Sequence, residues 1–368
     1  MASGKLFESL ELGHGPEMKN RLMLAALTNM QSHDDGCVSD EEARWLSMRA
    51  EGGFGMVITA AAPVQQVGRG YPGQLGIYSD HHVEGLTRLA DAVRANGALS
   101  AVQLYHGGDR ADPALVGTPV SPSEGSNNGA RALGLGEVEQ LREDFIAAAL
   151  RAQKVGFDGV EIHGAHGYVL AQFLSPTINR RDDCYGGSFE NRARLMLEVI
   201  GGIRSRCRPD FQIGLRLSPE RFGMRLAEVR ELAAELMLAG QIDYLDMSVW
   251  DVAKEPHEEA FKGRPLLSYF TDLPRGRVRL GAAGRVMDAA AASSVIEAGC
   301  DFVIIGRAGI LRHDFPLRVM SDSNYQSPPL PVSVQHLRSE GVTDKFIAYL
   351  QTFAGLVENI SSGGGSHG

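Results

Sequence analysis

Residues 157–168 read FDGVEIHGAHGY, a short apolar run that ends at His163 and then turns through glycine-rich chain past His166 to Tyr168. The glycines allow the sharp turn that a strand end requires. Runs of this kind recur along the chain. Strands are predicted near 21–26 (RLMLAA), 54–60 (FGMVITA), 98–104 (ALSAVQL) and 157–163, then near 211–217 (FQIGLRL), 242–248 (IDYLDMS), 277–282 (RVRLGA) and 301–306 (DFVIIG). Amphipathic stretches separate them, the pattern of repeated βα units around a parallel sheet. In 137–155, Val138, Leu141, Phe145 and Ala148 fall at helical spacing before Gly156. In 189–207, Leu195, Val199 and Ile203 share a face, and the Ala-rich segment 288–298 opens at Asp288 and ends at Gly299. Eight βα units predict an α/β chain folded as a single (β/α)8 TIM barrel.

Composition agrees with a globular domain of this size. The 368 residues are 43% hydrophobic and 22% charged, with a formal net charge of -9. That charge argues against a nucleic acid or an anionic membrane as partner. No apolar run has signal-peptide or membrane-spanning length, so a cytoplasmic protein is expected. Cys37, Cys184, Cys207 and Cys300 stand singly, with no cluster-binding spacing. The barrel is expected to occupy 1–325, a helical C-terminal extension 326–360, and a flexible tail 361–368. In the extension, Phe346, Leu350 and Phe353 are predicted on one side of a helix, and a homo-oligomer is expected. The Gly-, Pro- and Ser-rich segment 107–136 after the third strand reads as a long loop on the face where barrels carry their active sites.

His163, His166 and Tyr168 are the candidate catalytic group. Two imidazoles converging on one oxygen would polarise it, and a nearby phenol could give up a proton. A metal-binding His-x-x-His pair and a purely structural strand cap are the other readings of this spacing. No metal is expected, since no third ligand stands nearby in the sequence.

The stretch 159–200 carries HGAHGY, QFLSP, N-x-R-x-D and YGGS-x-ENR, and closely resembles the Old Yellow Enzyme family of flavin-dependent ene-reductases. LFESLELG…KNRLMLAALTN, GFGMVITAAA, SAVQLYHGG and GCDFVIIGR extend the resemblance over most of residues 5–315. It implies FMN as cofactor, NADPH or NADH as reductant, and an α,β-unsaturated carbonyl or nitro compound as small-molecule substrate. It further implies that His163 and His166, the family's His/His variety, bind the substrate oxygen and that Tyr168 donates a proton.

Gly284 with Arg285 and Gly306 with Arg307, at the ends of the last two strands, form the usual barrel phosphate site. Arg216 lies inward on the fifth strand, where a lone cation is costly unless it meets an anion. The resemblance makes that anion the flavin's N1–C2=O edge; a salt bridge to a barrel carboxylate is the competing reading. By the same resemblance Gln103 reads the pyrimidine ring, while Ala26, Leu27 and Thr28 line the flavin, and Ala61 approaches it from the second strand. Three departures bear on the substrate pocket: Ala26 where proline is common, Met30 where some members have tyrosine, and Gly-Gly-Asp-Arg after His106 in place of Gly-Arg. Trp250 is placed either in that pocket or in the core. A non-redox phosphate-binding lyase or isomerase is the alternative function.

Overall fold

Eight parallel strands close a barrel in the structure, a computed structural model that describes residues 2–125 and 127–358. They are β1 (Leu22–Leu24), β2 (Met56–Pro63), β3 (Leu99–Tyr105), β4 (Gly159–Gly164), β5 (Gln212–Leu217), β6 (Tyr244–Ser248), β7 (Arg279–Ala283) and β8 (Phe302–Ile305). Each pairs with its neighbours in sequence, and β1 pairs with β8 to complete the ring. All eight lie within two or three residues of their predicted places. Such strands are buried on both faces, so they read as apolar runs instead of alternating ones.

The principal helices outside the ring are α1 (Asp40–Glu51), α2 (Val83–Arg94), α3 (Leu135–Lys154), α4 (Phe189–Arg206), α5 (Leu226–Ala239) and α6 (Ala289–Glu297). Side-chain caps start several of them: Ser188 accepts from Asn191 N at 3.2 Å and Asp288 from Ala291 N at 2.7 Å. Outward residues such as Val160, Ile162 and Leu215 join the large core beneath these helices. Inward residues form a second cluster, with Met23, Met56, Ile58, Tyr244, Phe302 and Ile304 filling the lower barrel. An antiparallel bridge between Leu10 and Met18 brings both side chains into that cluster from below. The lower end is thus plugged, and the upper end is left for chemistry.

Two expectations need correction. The segment 107–136 is not structureless: it holds a turn of helix at Pro113–Val116 and a pair of two-residue strands, Val120–Ser121 with Arg131–Ala132. Pairs this short carry no periodicity that a sequence can display. The C-terminal segment is not one helix either, since it breaks at Gly341 (φ +75°) into Val334–Ser339 and Asp344–Gln351. Phe346 and Leu350 are buried, with Phe346 5.6 Å from Trp45 of α1, whereas Phe353 is exposed. The apolar side of this extension therefore packs on its own barrel. The expected tail at 361–368 lies outside the described residues. Among the described residues no helix is long and apolar enough to cross a membrane.

Candidate active site

Strand register assembles the site. His163 on β4 is the neighbour of Arg216 on β5, and Arg216 is the neighbour of Asp246 on β6. One layer lower, Gln103 on β3 pairs with Glu161 on β4. The upper barrel is therefore a polar layer resting on the apolar one.

Arg216 Nε lies 3.1 Å from Asp246 Oδ2, so the internal salt bridge weighed from the sequence exists. Its angle is poor, and neither Arg216 Nε nor the Asp246 oxygens complete a hydrogen bond. The arginine thus has a counter-charge and still has unused donor capacity. Arg216 Nη1 also reaches the carbonyl of Ala26, at 3.5 Å. Burial pushes the Asp246 carboxyl up, partly offset by Arg216. Burial and the nearby Asp246 push Glu161 up as well, and Gln103 Nε2 donates to its Oε1 at 2.7 Å. One cation and two carboxylates are most simply neutralised when Glu161 keeps its proton and Asp246 stays charged beside Arg216.

Above this layer the three candidate catalytic rings meet nearly edge to face. Ring centres are 5.0 Å apart for His163–His166 and for His163–Tyr168, and 6.5 Å for His166–Tyr168. Tyr105, at the end of β3, packs on Tyr168 at 4.5 Å. Both imidazoles are held well below their usual range, first by burial, with help from the charges of Arg216 and Arg110. They are neutral, so each carries one proton, and its partners place it. His163 Nδ1 accepts from Ala165 N at 3.2 Å, which puts its proton on Nε2. That Nε2 faces His166 Nδ1 at 3.3 Å, and His166 Nε2 faces Ser248 Oγ at 2.8 Å. Protons run one way along this chain, from His163 through His166 to Ser248. Among the described residues only Asp35, Cys37 and His81, near the surface, form a His/Cys/Asp/Glu trio close enough to share an ion, so His163 and His166 lack a third ligand.

A cavity of about 400 Å³ opens beside His166. Leu27, Arg216, Gly284, Arg285, Gly306 and Arg307 line it together with Ser248 and Trp250. Gly284 is pressed against the chain after β6: a Cβ there would meet Asp251 N at 2.8 Å. Gly306 faces open space on that side, its nearest neighbour being Leu27 Cδ2 at 3.9 Å. The remaining expected residues do not line this cavity. Ala61 pairs in register with Gln103, and Gln74 Nε2 donates to its carbonyl at 2.8 Å. Gln103 is buried against Glu161, and Thr28 is half-buried beside the hydroxyls of Tyr71 and Tyr349. Sequence reasoning missed Ser248 and Ser218, whose hydroxyls contact His166 Nε2 and the His166 amide. A serine at a strand end gives no signal of its own. Trp250, placed between pocket and core, is a pocket residue and half exposed.

Known proteins resemble this chain in sequence and fold. The family model described as NADH:flavin oxidoreductase / NADH oxidase family matches residues 5–326. A probable NADH-dependent flavin oxidoreductase of Bacillus subtilis is 36% identical over 326 residues, covering 85% of this chain and 87% of that protein. The NADH:fumarate oxidoreductase of Klebsiella pneumoniae is 35% identical over 332 residues, but the match covers 86% of this chain and only 36% of that longer protein. Among solved structures, morphinone reductase in complex with tetrahydroNAD superposes with a TM-score of 0.78 at 29% identity, covering 92% of this chain and 96% of that one. An old yellow enzyme homologue from Zymomonas mobilis does so with a TM-score of 0.78 at 28% identity, covering 92% and 99%. The chain belongs to the NADH:flavin oxidoreductase / NADH oxidase family, the Old Yellow Enzymes.

Proposed function

We propose that this protein is an FMN-dependent, NAD(P)H-dependent ene-reductase acting on α,β-unsaturated carbonyl or nitro compounds. The observation that carries the reading is the convergence of His163, His166 and Tyr168 above Arg216, beside a cavity lined by Gly284, Arg285, Gly306 and Arg307. The family match removes the support for a non-redox lyase or isomerase.

The residues present fit FMN. Arg216 has unused donor capacity next to the cavity, and two arginines and two glycines line its other end. Gly284, Arg285, Gly306 and Arg307 would hold the phosphate, and Arg216 the electron-rich edge of the ring. Ala26, Leu27, Thr28, Ala61 and Gln103 would surround the ring system. What the cofactor supplies is a hydride, obtained from NADH or NADPH and delivered to the β-carbon of the alkene.

The protein's own part is to polarise the substrate and move one proton. His163 Nε2–H is a ready donor to a carbonyl or nitro oxygen, but without substrate it is spent on His166. For both imidazoles to donate, His166 must carry its proton on Nδ1, and its Nε2 must then accept. Ser248 Oγ can serve either tautomer because a hydroxyl both donates and accepts. Substrate binding would thus reverse the His166–Ser248 hydrogen bond. Tyr168 then protonates the α-carbon. Neutral imidazoles suit this task, since they donate without competing for the proton that Tyr168 gives up.

The test is anaerobic and spectroscopic. Stoichiometric NADH or NADPH should bleach the protein-bound flavin, and 2-cyclohexenone should restore its absorbance. A colourless protein that cannot be reconstituted with FMN contradicts the reading. A homo-oligomer joined through the C-terminal extension belongs to the same proposal, and a monomer by light scattering would remove that part.

A further inference from the structure

The mouth of the site carries two arginines, Arg110 and Arg221. The carboxylates beside them are engaged elsewhere. Asp109 accepts from Gln172 Nε2 at 2.7 Å, Glu220 holds Lys254 at 2.5 Å, and Asp251 holds Arg285 at 3.3 Å. Among the described residues neither Arg110 nor Arg221 takes part in an ion pair; Arg110 spends one N–H on the carbonyl of His166. Both guanidiniums lie on aromatic faces instead. Arg110 is 4.9 Å from the centre of Tyr168 and 5.8 Å from that of Phe222, and Arg221 is 4.6 Å from that of Trp250. Trp250 in turn packs 6.3 Å from His166 and lines the cavity. A stacked guanidinium keeps its edge free, and that edge matches a flat anion.

The backbone supports the same assignment. His166, Arg221, Phe222 and Trp250 have φ of +59°, +73°, +54° and +68°, where bulky side chains are disfavoured. Such conformations cluster at ligand clamps, where the surrounding structure enforces them. Here they accompany Arg221 over Trp250, Trp250 near His166 and Phe222 against Gly167.

We propose that Arg110 and Arg221 form an anion-binding subsite above the His163/His166/Tyr168 well, and that the preferred alkene carries a carboxylate beyond its activated double bond. The inference rests on the ene-reductase reading of that well. The same chemistry would suit the 2′-phosphate of NADPH, so the experiment separates the two sources.

Holoenzyme is assayed with N-(carboxymethyl)maleimide and with its methyl ester. The wild type should favour the acid by tenfold or more in kcat/KM, and the preference should shrink as salt rises. R221Q and R110Q should each lower the acid-to-ester ratio by roughly tenfold, the scale of a charge-assisted hydrogen bond, and R221K should keep part of it. A ratio near one in the wild type, or one unmoved by either substitution, overturns the subsite. If the substitutions change NADPH-over-NADH preference in flavin bleaching and leave the acid-to-ester ratio alone, the anion is the reductant's and the substrate assignment is wrong. If wild-type flavin is bleached but neither maleimide is reduced, the ene-reductase reading has failed separately. Calorimetric binding of 4-hydroxybenzoate against its methyl ester then decides the subsite: tighter binding of the acid, lost in R221Q, supports it, and equal binding refutes it.

Discussion

The two ends of the barrel solve the same backbone problem differently. At the lower end, where helices return to strands, positive φ falls to glycines: Gly53, Gly97, Gly156, Gly240 and Gly299. At the upper end, where strands give way to loops, it also falls to Met30, Asn128, His166, Arg221, Phe222, Trp250 and Arg285. Glycine bears that geometry without penalty, whereas a non-glycine residue in a sparsely populated region costs about 1–3 kcal/mol. The lower end is therefore built for stability. The upper end accepts strain in order to aim side chains, and it is also where buried charge and neutral histidines gather.

Substitutions at the two ends should consequently separate stability from function. The largest stability effect is expected on the apolar plug. Phe302→Ala removes a fully buried ring against Tyr244, and should cost about 3–5 kcal/mol in denaturant unfolding while leaving ligand affinity of the folded protein little changed. A comparable loss of affinity would mean that the two ends are coupled. At the mouth, His163→Ala should weaken phenol or enone binding by about 1–3 kcal/mol, which is about 5–150-fold in Kd. Calorimetry on the FMN-loaded variant checks this, and unchanged affinity would deny His163 its polarising role.

The backbone comparison itself can be broken with a pair of variants. Gly156→Ala should destabilise by about 1–2 kcal/mol, because a side chain at φ +96° is strained. The Cβ would also approach Arg94 Nη2 at 2.9 Å, but that side chain can move. Met30→Gly should instead stabilise by up to about 1 kcal/mol, since it relieves φ +55° at the cost of a more flexible unfolded chain. Destabilisation by Met30→Gly as well would leave the assignment of strain to the mouth without support. The last effect is electrostatic. Glu161 holds its proton in the folded protein up to about pH 8, whereas the unfolded side chain ionises near its ordinary value of 4.5. Its stabilising share is then complete below pH 4.5 and lost as pH rises toward 8. The melting temperature of Glu161→Gln should gain on the wild type across that interval. A gap that narrows with rising pH would mean that Glu161 is ionised in the native barrel.

Legibility in the sequence follows the same division. Strands buried on both faces leave short apolar runs, so all eight could be placed, and Gly156 and Gly299 marked the helix ends beside which they lie. The HGAHGY turn was readable because its chemistry is contiguous. Arg216 was legible only in part: inward placement was clear, but its partner Asp246 stands on the next strand, 30 residues on, within an ordinary YLDMS run. Ser248, Arg110 and Arg221 act through contacts between separate loops, and no local pattern announces those. The break at Gly341 was hidden because Phe346 and Leu350 keep helical spacing on one side of it alone.

The central claim is that Tyr168 gives a proton to a substrate polarised by His163 and His166. Stopped-flow measurement of both half-reactions in Tyr168→Phe tests it most directly. Flavin bleaching by NAD(P)H should keep its wild-type rate, while reoxidation by 2-cyclohexenone slows by about 10²–10⁴-fold, the scale of a lost general acid. Equal slowing of both half-reactions, or no slowing of the second, would contradict the account.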